Sequence, residues 1–389
     1  LFSIGFRPFF ASGILFSAIA LFIWGAFWQL DAQSIVTTNL NPFGGFLFWH
    51  PHELIMGFAL AIIMGFLLTA TRNWTGLETA PPLGLLVLWL LWLVARFIMI
   101  LGADLSFYII LAIQISVPLL AAMFIARPII LKRMWRNIFA PSILVLFAAF
   151  DAAILYQVQE NGAIPSQLLQ ACIFLIAILI TMIGGRIIPL FTANKLGIKN
   201  NNESTPTFVA SLLPLIALLI ASLLPKHEII SVTTYGCAAI LFIAHSQRLK
   251  IWYHPGIWQH PMLWSLWGFY ATLPLGFLVI SISPLIDPWT QIESVALHVL
   301  AIGAICGLIL SMVTRVSLGH TGRVITHDKI IVSAFILLFI SMLLRTLMVA
   351  ILGLNTQLIT ISAAIAGFSF LLIFCRFIYI WLTPRPDGK

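Results

Sequence analysis

Charge is what this sequence has least of. Lys, Arg, Asp and Glu make up 8% of its 389 residues, where a soluble globular domain carries about 25%. With 61% of the residues hydrophobic, no water-soluble fold of this size could bury the apolar surface. That excludes a soluble enzyme and a disordered chain. Cysteine is also scarce. Cys172, Cys237, Cys306 and Cys375 all sit in hydrophobic runs, with no CxxC or CxxCH among them. A disulfide scaffold is thereby excluded, and a zinc ribbon or a covalently attached c-type haem is unsupported. The four read as small packing residues. The short alternating segments of a transmembrane β-barrel are missing. So are low-complexity linkers and room for a soluble domain. No cleavable signal is visible after Leu1. The net charge of +8 is scattered among apolar stretches rather than gathered on one face, so nucleic acid is not expected as a partner.

What is present is a series of long apolar runs. A span of the bilayer needs roughly 20 such residues. The runs predict twelve: 8–30, 50–71, 82–101, 105–126, 137–157, 165–190, 207–225, 228–249, 262–281, 291–314, 329–353 and 357–382. Between them stand turn dipeptides: Asn41-Pro42, Pro81-Pro82, Asn161-Gly162, Thr205-Pro206 and Asp287-Pro288. The expected fold class is all-α, a polytopic protein of the lipid bilayer whose residues 1–389 form a single integral membrane domain.

Charge sign orients it. Of the 20 basic residues, 17 fall at the N-terminus and in alternate loops, and the opposite loops hold only Lys226. Basic residues collect on the cytoplasmic side, so both termini are expected there. The remaining two, Arg96 and Arg345, lie inside spans three and eleven. An intramembrane charge is costly and points to function. Two readings stand for this pair: partners for the propionates of a b-type haem, which an arginine meets bidentately, or ion pairs with Glu53, Asp104 or Glu293.

Spans two and ten echo each other at an offset of 246. His52, Gly57, Thr75 and Gly76 meet His298, Gly303, Thr321 and Gly322. Each His precedes its Thr-Gly by 23 residues, about 35 Å of ideal helix, so the two imidazoles are expected at similar depth in the outer half. The run Trp49-His50-Pro51-His52-Glu53 carries the most information. Pro51 suits the first helical position, which puts His50 just outside the helix, able to fold back beside His52. Met56 falls one turn below His52, and Gly57 and Gly65 leave room for a flat ligand or a close backbone. Neutral imidazoles suit haem iron and, with a thioether, copper. An interfacial Trp-His anchor without a ligand is the competing reading. His298 lies about two turns into span ten and reads as a ligand or as a hydrogen-bonded core histidine. Gly303 and Gly307 read better as a helix-packing face. On the cytoplasmic side, Arg72, Arg186, Arg315, His320 and Arg323 accompany Gly184-Gly185-Arg186 and Gly319-His320-Thr321-Gly322-Arg323. Read as Gly-framed turns, these could hold an anion or a redox partner, or serve only topology and lipid headgroups.

These residues resemble a known family. Gly5-Phe6-Arg7-Pro8-Phe9-Phe10, Trp49-His50-Pro51-His52-Glu53, Asn73-Trp74-Thr75-Gly76, Gly184-Gly185-Arg186-Ile187-Ile188-Pro189 and Thr314-Arg315 followed by Leu318-Gly319-His320-Thr321-Gly322-Arg323 are similar, in this order, to the NnrS family. The resemblance implies a multi-pass bacterial inner-membrane protein of twelve helices, carrying haem and copper and linked to nitric oxide stress and denitrification. Many relatives have a His in span nine after a Leu-Trp pair. Here Leu263-Trp264-Ser265-Leu266 leads to Trp267, so that position is lost or replaced by His260. Histidines on helices two and ten also resemble the haem-copper oxidase core, by fold-level analogy alone. Spans six and seven lack that fold's copper-ligand set.

The expectation is therefore a haem b protein, with copper near residues 49–53, that binds nitric oxide or a related small molecule or passes it electrons from a donor. His52 and His298 would clamp the iron, and His50, His52 and Met56 would serve copper. A twelve-helix transporter of a metal or small anion, and a non-catalytic metal-binding sensor, are the alternatives.

Overall fold

A computed structural model describes residues 1–2, 4–30, 40–102, 104–201, 203–225, 227–286, 292–323, 328–353 and 355–386. Lys226, His327, Lys389 and the Asp287-Pro288 break lie outside the described residues. Among the described residues, twelve helices are long and apolar enough to cross a membrane: α1 (Phe6–Phe27), α2 (Phe46–Thr75), α3 (Pro82–Leu101), α4 (Phe107–Leu131), α5 (Trp135–Asn161), α6 (Ser166–Leu196), α7 (Thr205–Ser222), α8 (Glu228–Trp252), α9 (Pro261–Leu285), α10 (Ile292–His320), α11 (Lys329–Leu352) and α12 (Thr356–Leu382). No strand occurs among the described residues. Number, order and class agree with the sequence.

Of the turn dipeptides, Pro81-Pro82, Asn161-Gly162 and Thr205-Pro206 act as read. Gly76 and Gly162 take left-handed conformations (φ 69° and 61°) that stop α2 and α5. Pro82 and Pro206 open α3 and α7 in the first turn, and the Ser204 hydroxyl accepts from the Thr207 amide at 3.4 Å. Two ends differ. α2 begins at Phe46, so His50 lies inside the helix and Pro51 is internal rather than first. Proline has no N–H to give the preceding turn, and directly after it, over Glu53–Ala59, α2 winds as a π-helix. α10 continues to His320 and α6 to Leu196, so Gly184-Gly185-Arg186 and Gly319-His320 are helical. Only Gly322, at φ 66°, makes a turn.

The chain divides into two compact units. One comprises Leu1–Leu169, Ser317–Val324 and Phe370–Lys389; the other comprises Gln170–Val316 and Ile325–Ser369. In the first, α1 packs on α2, and α4 packs on α2, α3 and α5. Its centre holds Phe6, Phe9, Phe10, Phe48, Phe58 and Phe147, all fully buried, and the Phe6 amide donates to the Thr69 hydroxyl at 3.0 Å. In the second, α8 packs on α7 and α9, and α10 packs on α9 and α11. Large apolar side chains such as Leu83, Phe97, Ile229 and Val232 point outward. In a bilayer this costs nothing. Helix association then rests on close packing and interhelical hydrogen bonds rather than on burial from water.

Candidate functional site

Unit one contains a buried polar network drawn from four helices. His52, on α2, is fully buried. Its Nδ1 lies 3.0 Å from Glu53 Oε1 and its Nε2 lies 2.9 Å from Asp151 Oδ1 on α5. Two carboxylates accepting from one ring call for two N–H groups, which only the imidazolium has. On α3, Arg96 Nη1 donates to the same Glu53 oxygen, and Nη2 donates to Gln114 Oε1 on α4 at 2.7 Å. Gln114 in turn donates to the Ala95 carbonyl at 3.1 Å. With His52 protonated, two positive and two negative charges balance. In a low-dielectric interior such pairing is what makes buried charge tolerable. The π segment fits this arrangement. Its Gly57 carbonyl accepts from Trp92 Nε1 at 2.9 Å. A Cβ on Gly57 would fall 2.9 Å from Arg96 Nη1 and 2.6 Å from Phe16 Cε1. The side chains of Phe16 and Arg96 pack directly against Gly57. Of the two readings for Arg96, the ion pair with Glu53 is the one formed.

His50 stacks on Trp24, ring centroids 4.1 Å apart and 10° from parallel. Met56 is buried in the π segment. Among the described residues, no group of three or more His, Cys, Asp or Glu side chains is placed to hold a metal ion.

Unit two carries His298. Its Nδ1 lies 2.7 Å from the Ser294 carbonyl, which can only accept, so Nδ1 carries a proton and the neutral ring keeps its lone pair on Nε2. A backbone acceptor on Nδ1 is the usual way an imidazole is oriented for a metal on its other nitrogen. A second π segment, Val299–Cys306, follows His298 directly, as Glu53–Ala59 follows His52. The echo at an offset of 246 thus has a backbone counterpart, and π-helical turns recur at functional sites. Arg345 lies in a third π segment, Leu344–Met348, which packs against the first turns of α10. Its charge acts on His298. Arg345 Nη1 is buried without a hydrogen-bond partner, and among the described residues no carboxylate lies within ion-pair distance of this side chain. Gly303 and Gly307 are packing positions: a Cβ there would fall 2.6 Å from Thr272 Oγ1 and 2.1 Å from Phe269 Cδ1.

A family model described as NnrS protein matches residues 1–385. The chain belongs to the NnrS family. No curated protein matches it.

The motifs of this NnrS chain now have positions. The two glycines of Gly184-Gly185-Arg186 lie within α6. A Cβ on Gly185 would fall 2.1 Å from Arg248 Nη2 and 2.6 Å from Glu203 Oε1, so this glycine admits a buried ion pair. Arg248 Nη2 donates to Glu203 Oε1 at 2.9 Å and to the Thr181 carbonyl at 2.8 Å. The guanidinium lies over Trp252 and Tyr270, and the Tyr270 hydroxyl is 2.7 Å from His245 Nδ1. Arg248, one of the 17 basic residues that the charge pattern assigns to the cytoplasmic loops, is fully buried. Trp267 Nε1 donates to the Leu249 carbonyl at 3.1 Å, and His260 stands just before the first turn of α9. The cytoplasmic set is shared between the two units. Arg186 and Arg315 belong to unit two, where Arg315 lies over the Phe191 ring at 3.7 Å. Arg72, His320 and Arg323 belong to unit one. Sequence reasoning missed Asp151, Gln114, Glu203 and Tyr270. A lone acid in the apolar run of span five was the available signal for Asp151.

Proposed function

We propose that this NnrS-family membrane protein binds a b-type haem through His298 and acts in the response to nitric oxide at the bacterial inner membrane. The observation that carries the reading is the pairing of His298 with Arg345. One offers a neutral, oriented imidazole nitrogen; the other offers a buried guanidinium N–H with no partner. Together they fit the iron and a propionate of a haem. The haem iron would supply nitric oxide binding or electron transfer. Ser294 fixes the tautomer and direction of the imidazole, and Arg345 contributes the positive charge that a buried carboxylate needs.

His52 fits iron less well than the sequence implied. Glu53 on Nδ1 resembles the carboxylate that orients a metal-bound histidine, but Nε2 is engaged by Asp151 and would have to release it. Arg96 already gives Nη1 to Glu53 and Nη2 to Gln114, and only its buried Nε is without a partner. For copper, His52 has both ring nitrogens engaged by carboxylates and the His50 ring stacks on Trp24, so this run supports a copper site less than it does the buried ion-pair network. The transporter alternative loses its first cation for the same reason, since Arg96 is closed into a neutral network.

The test is an optical spectrum with a haem assay on the purified protein. Haem bound to the wild type, and lost or changed in coordination in His298→Ala, is the expected result. In Arg345→Leu we expect weaker haem retention with the iron's ligation unchanged. A colourless protein from haem-replete cells, or a wild-type spectrum in His298→Ala, overturns the assignment.

A further inference from the structure

The hairpin between α4 and α5 carries four cations and no acid. Arg127, Lys132, Arg133 and Arg136 are all exposed, and none of them makes an ion pair among the described residues. Neither Asp nor Glu occurs between Asp104 and Asp151, and Asp151 is buried against His52. Trp135 and Leu131 flank the cations and are 60% and 63% exposed.

The backbone singles this hairpin out. At the end of α4 the Met134 amide donates to the Ile129 carbonyl at 2.9 Å, and the Arg133 amide donates to the Ile130 carbonyl at 3.0 Å. This pair of bonds needs a left-handed residue at position 133, a place that glycine normally fills. Gly76, Gly162, Gly197 and Gly322 fill it at the ends of α2, α5, α6 and α10, with φ between 61° and 69°. Arg133, at φ 53°, is the one residue other than glycine with positive φ among the described residues. A side chain in that conformation is strained. So α4 ends on a strained cation where glycine would be relaxed. Stability given up at one position points to a use for the side chain that stands there.

Both helices are long enough to span a bilayer, so their shared end stands at the depth of lipid headgroups. The basic bias puts that end on the cytoplasmic side. Anionic lipids give the cytoplasmic leaflet a negative surface potential, and four or more cations directly beyond a span attract their headgroups. Exposed Trp135 and Leu131 suit the boundary between headgroups and acyl chains. We propose that the α4–α5 hairpin binds anionic phospholipid headgroups through Arg127, Lys132, Arg133 and Arg136. All four lie in unit one. The site uses none of the haem residues, so it stands or falls apart from the haem assignment.

Native mass spectrometry of the purified full chain in neutral detergent, titrated with phosphatidylglycerol or phosphatidylcholine, tests it. Arg133→Gly is the informative variant, because relief of strain and loss of charge act in opposite directions. Without lipid it should melt at or above the wild-type temperature. It should nevertheless bind phosphatidylglycerol about fivefold more weakly, with phosphatidylcholine binding unchanged. Adding Lys132→Gln and Arg136→Gln, both on exposed side chains, should bring a similar loss for each cation and flatten the dependence on salt. A wild type that takes up both lipids alike overturns the site. So does a phosphatidylglycerol preference that survives in the triple variant, since the anionic lipid then sits elsewhere. An Arg133→Gly chain that melts lower with its lipid preference intact shows that the cation serves the helix end, and also overturns it. Retention of an acidic protein by the hairpin, with no lipid preference, does the same.

Discussion

Glu53 and Arg96 form a pair that neither partner can leave alone. Both are buried, at 0% and 5% exposure, and removing one charge strands the other in a medium that cannot solvate it. Breaking a buried pair costs about 3–5 kcal/mol, whereas removing both partners costs far less. We therefore expect Glu53→Gln and Arg96→Leu each to lower thermal stability in detergent steeply, and the double variant to recover part of the loss. Singles that melt with the wild type would show that the pair carries no structural weight. At this scale the sequence was half legible. His52, Glu53 and Arg96 stood out because ionisable groups in apolar runs are rare. Asp151 carries the same signal, but its pairing with His52 spans 99 residues and is not legible in the local pattern. Arg248 was misread as a loop cation, because nothing in the local pattern separates a span end that faces a buried glutamate from one that faces water.

Helices were legible as lengths and less so as faces. Twelve apolar runs gave twelve helices because a bilayer sets one length requirement for all of them. The windings inside them were hidden. Pro51 was read as a start because proline suits a first turn, yet α2 starts at Phe46 and then widens over Glu53–Ala59. Close approach between helices is also decided below the level of pattern. Gly185 and Gly268 both sit inside helices. A methyl group on Gly185 would meet the Arg248–Glu203 pair, whereas one on Gly268 has nothing within 4 Å. Gly185→Ala should therefore lower the melting temperature, while Gly268→Ala should be neutral or slightly stabilising, because alanine favours helix by about 1 kcal/mol. Equal effects of the two would show that the Gly185 contact is loose.

For the whole molecule, charge asymmetry is the strongest statement the sequence makes. Seventeen basic residues on one side against one on the other predict both termini in the cytoplasm. Reporters fused to the C-terminus should work only in the cytoplasmic format, and activity in the periplasmic format would overturn the orientation. Some of those cations do more than orient the chain: Arg7 and Arg248 are buried, and Arg248 is held by a glutamate. The π windings, finally, bear on how such a protein can change in descent. A π turn holds more residues than an α turn, so α2 and α10 each carry length that an α-helix would not need. Deleting one residue from Glu53–Ala59 would let α2 rewind as an α-helix and swing His52 by about 100° against everything after it. The carboxylates of Glu53 and Asp151 would then face the wrong side chains, although every ligand and ion-pair residue was still encoded. Lineages of this protein can trade side chains at these positions one at a time, but a single lost codon there removes the site at a stroke.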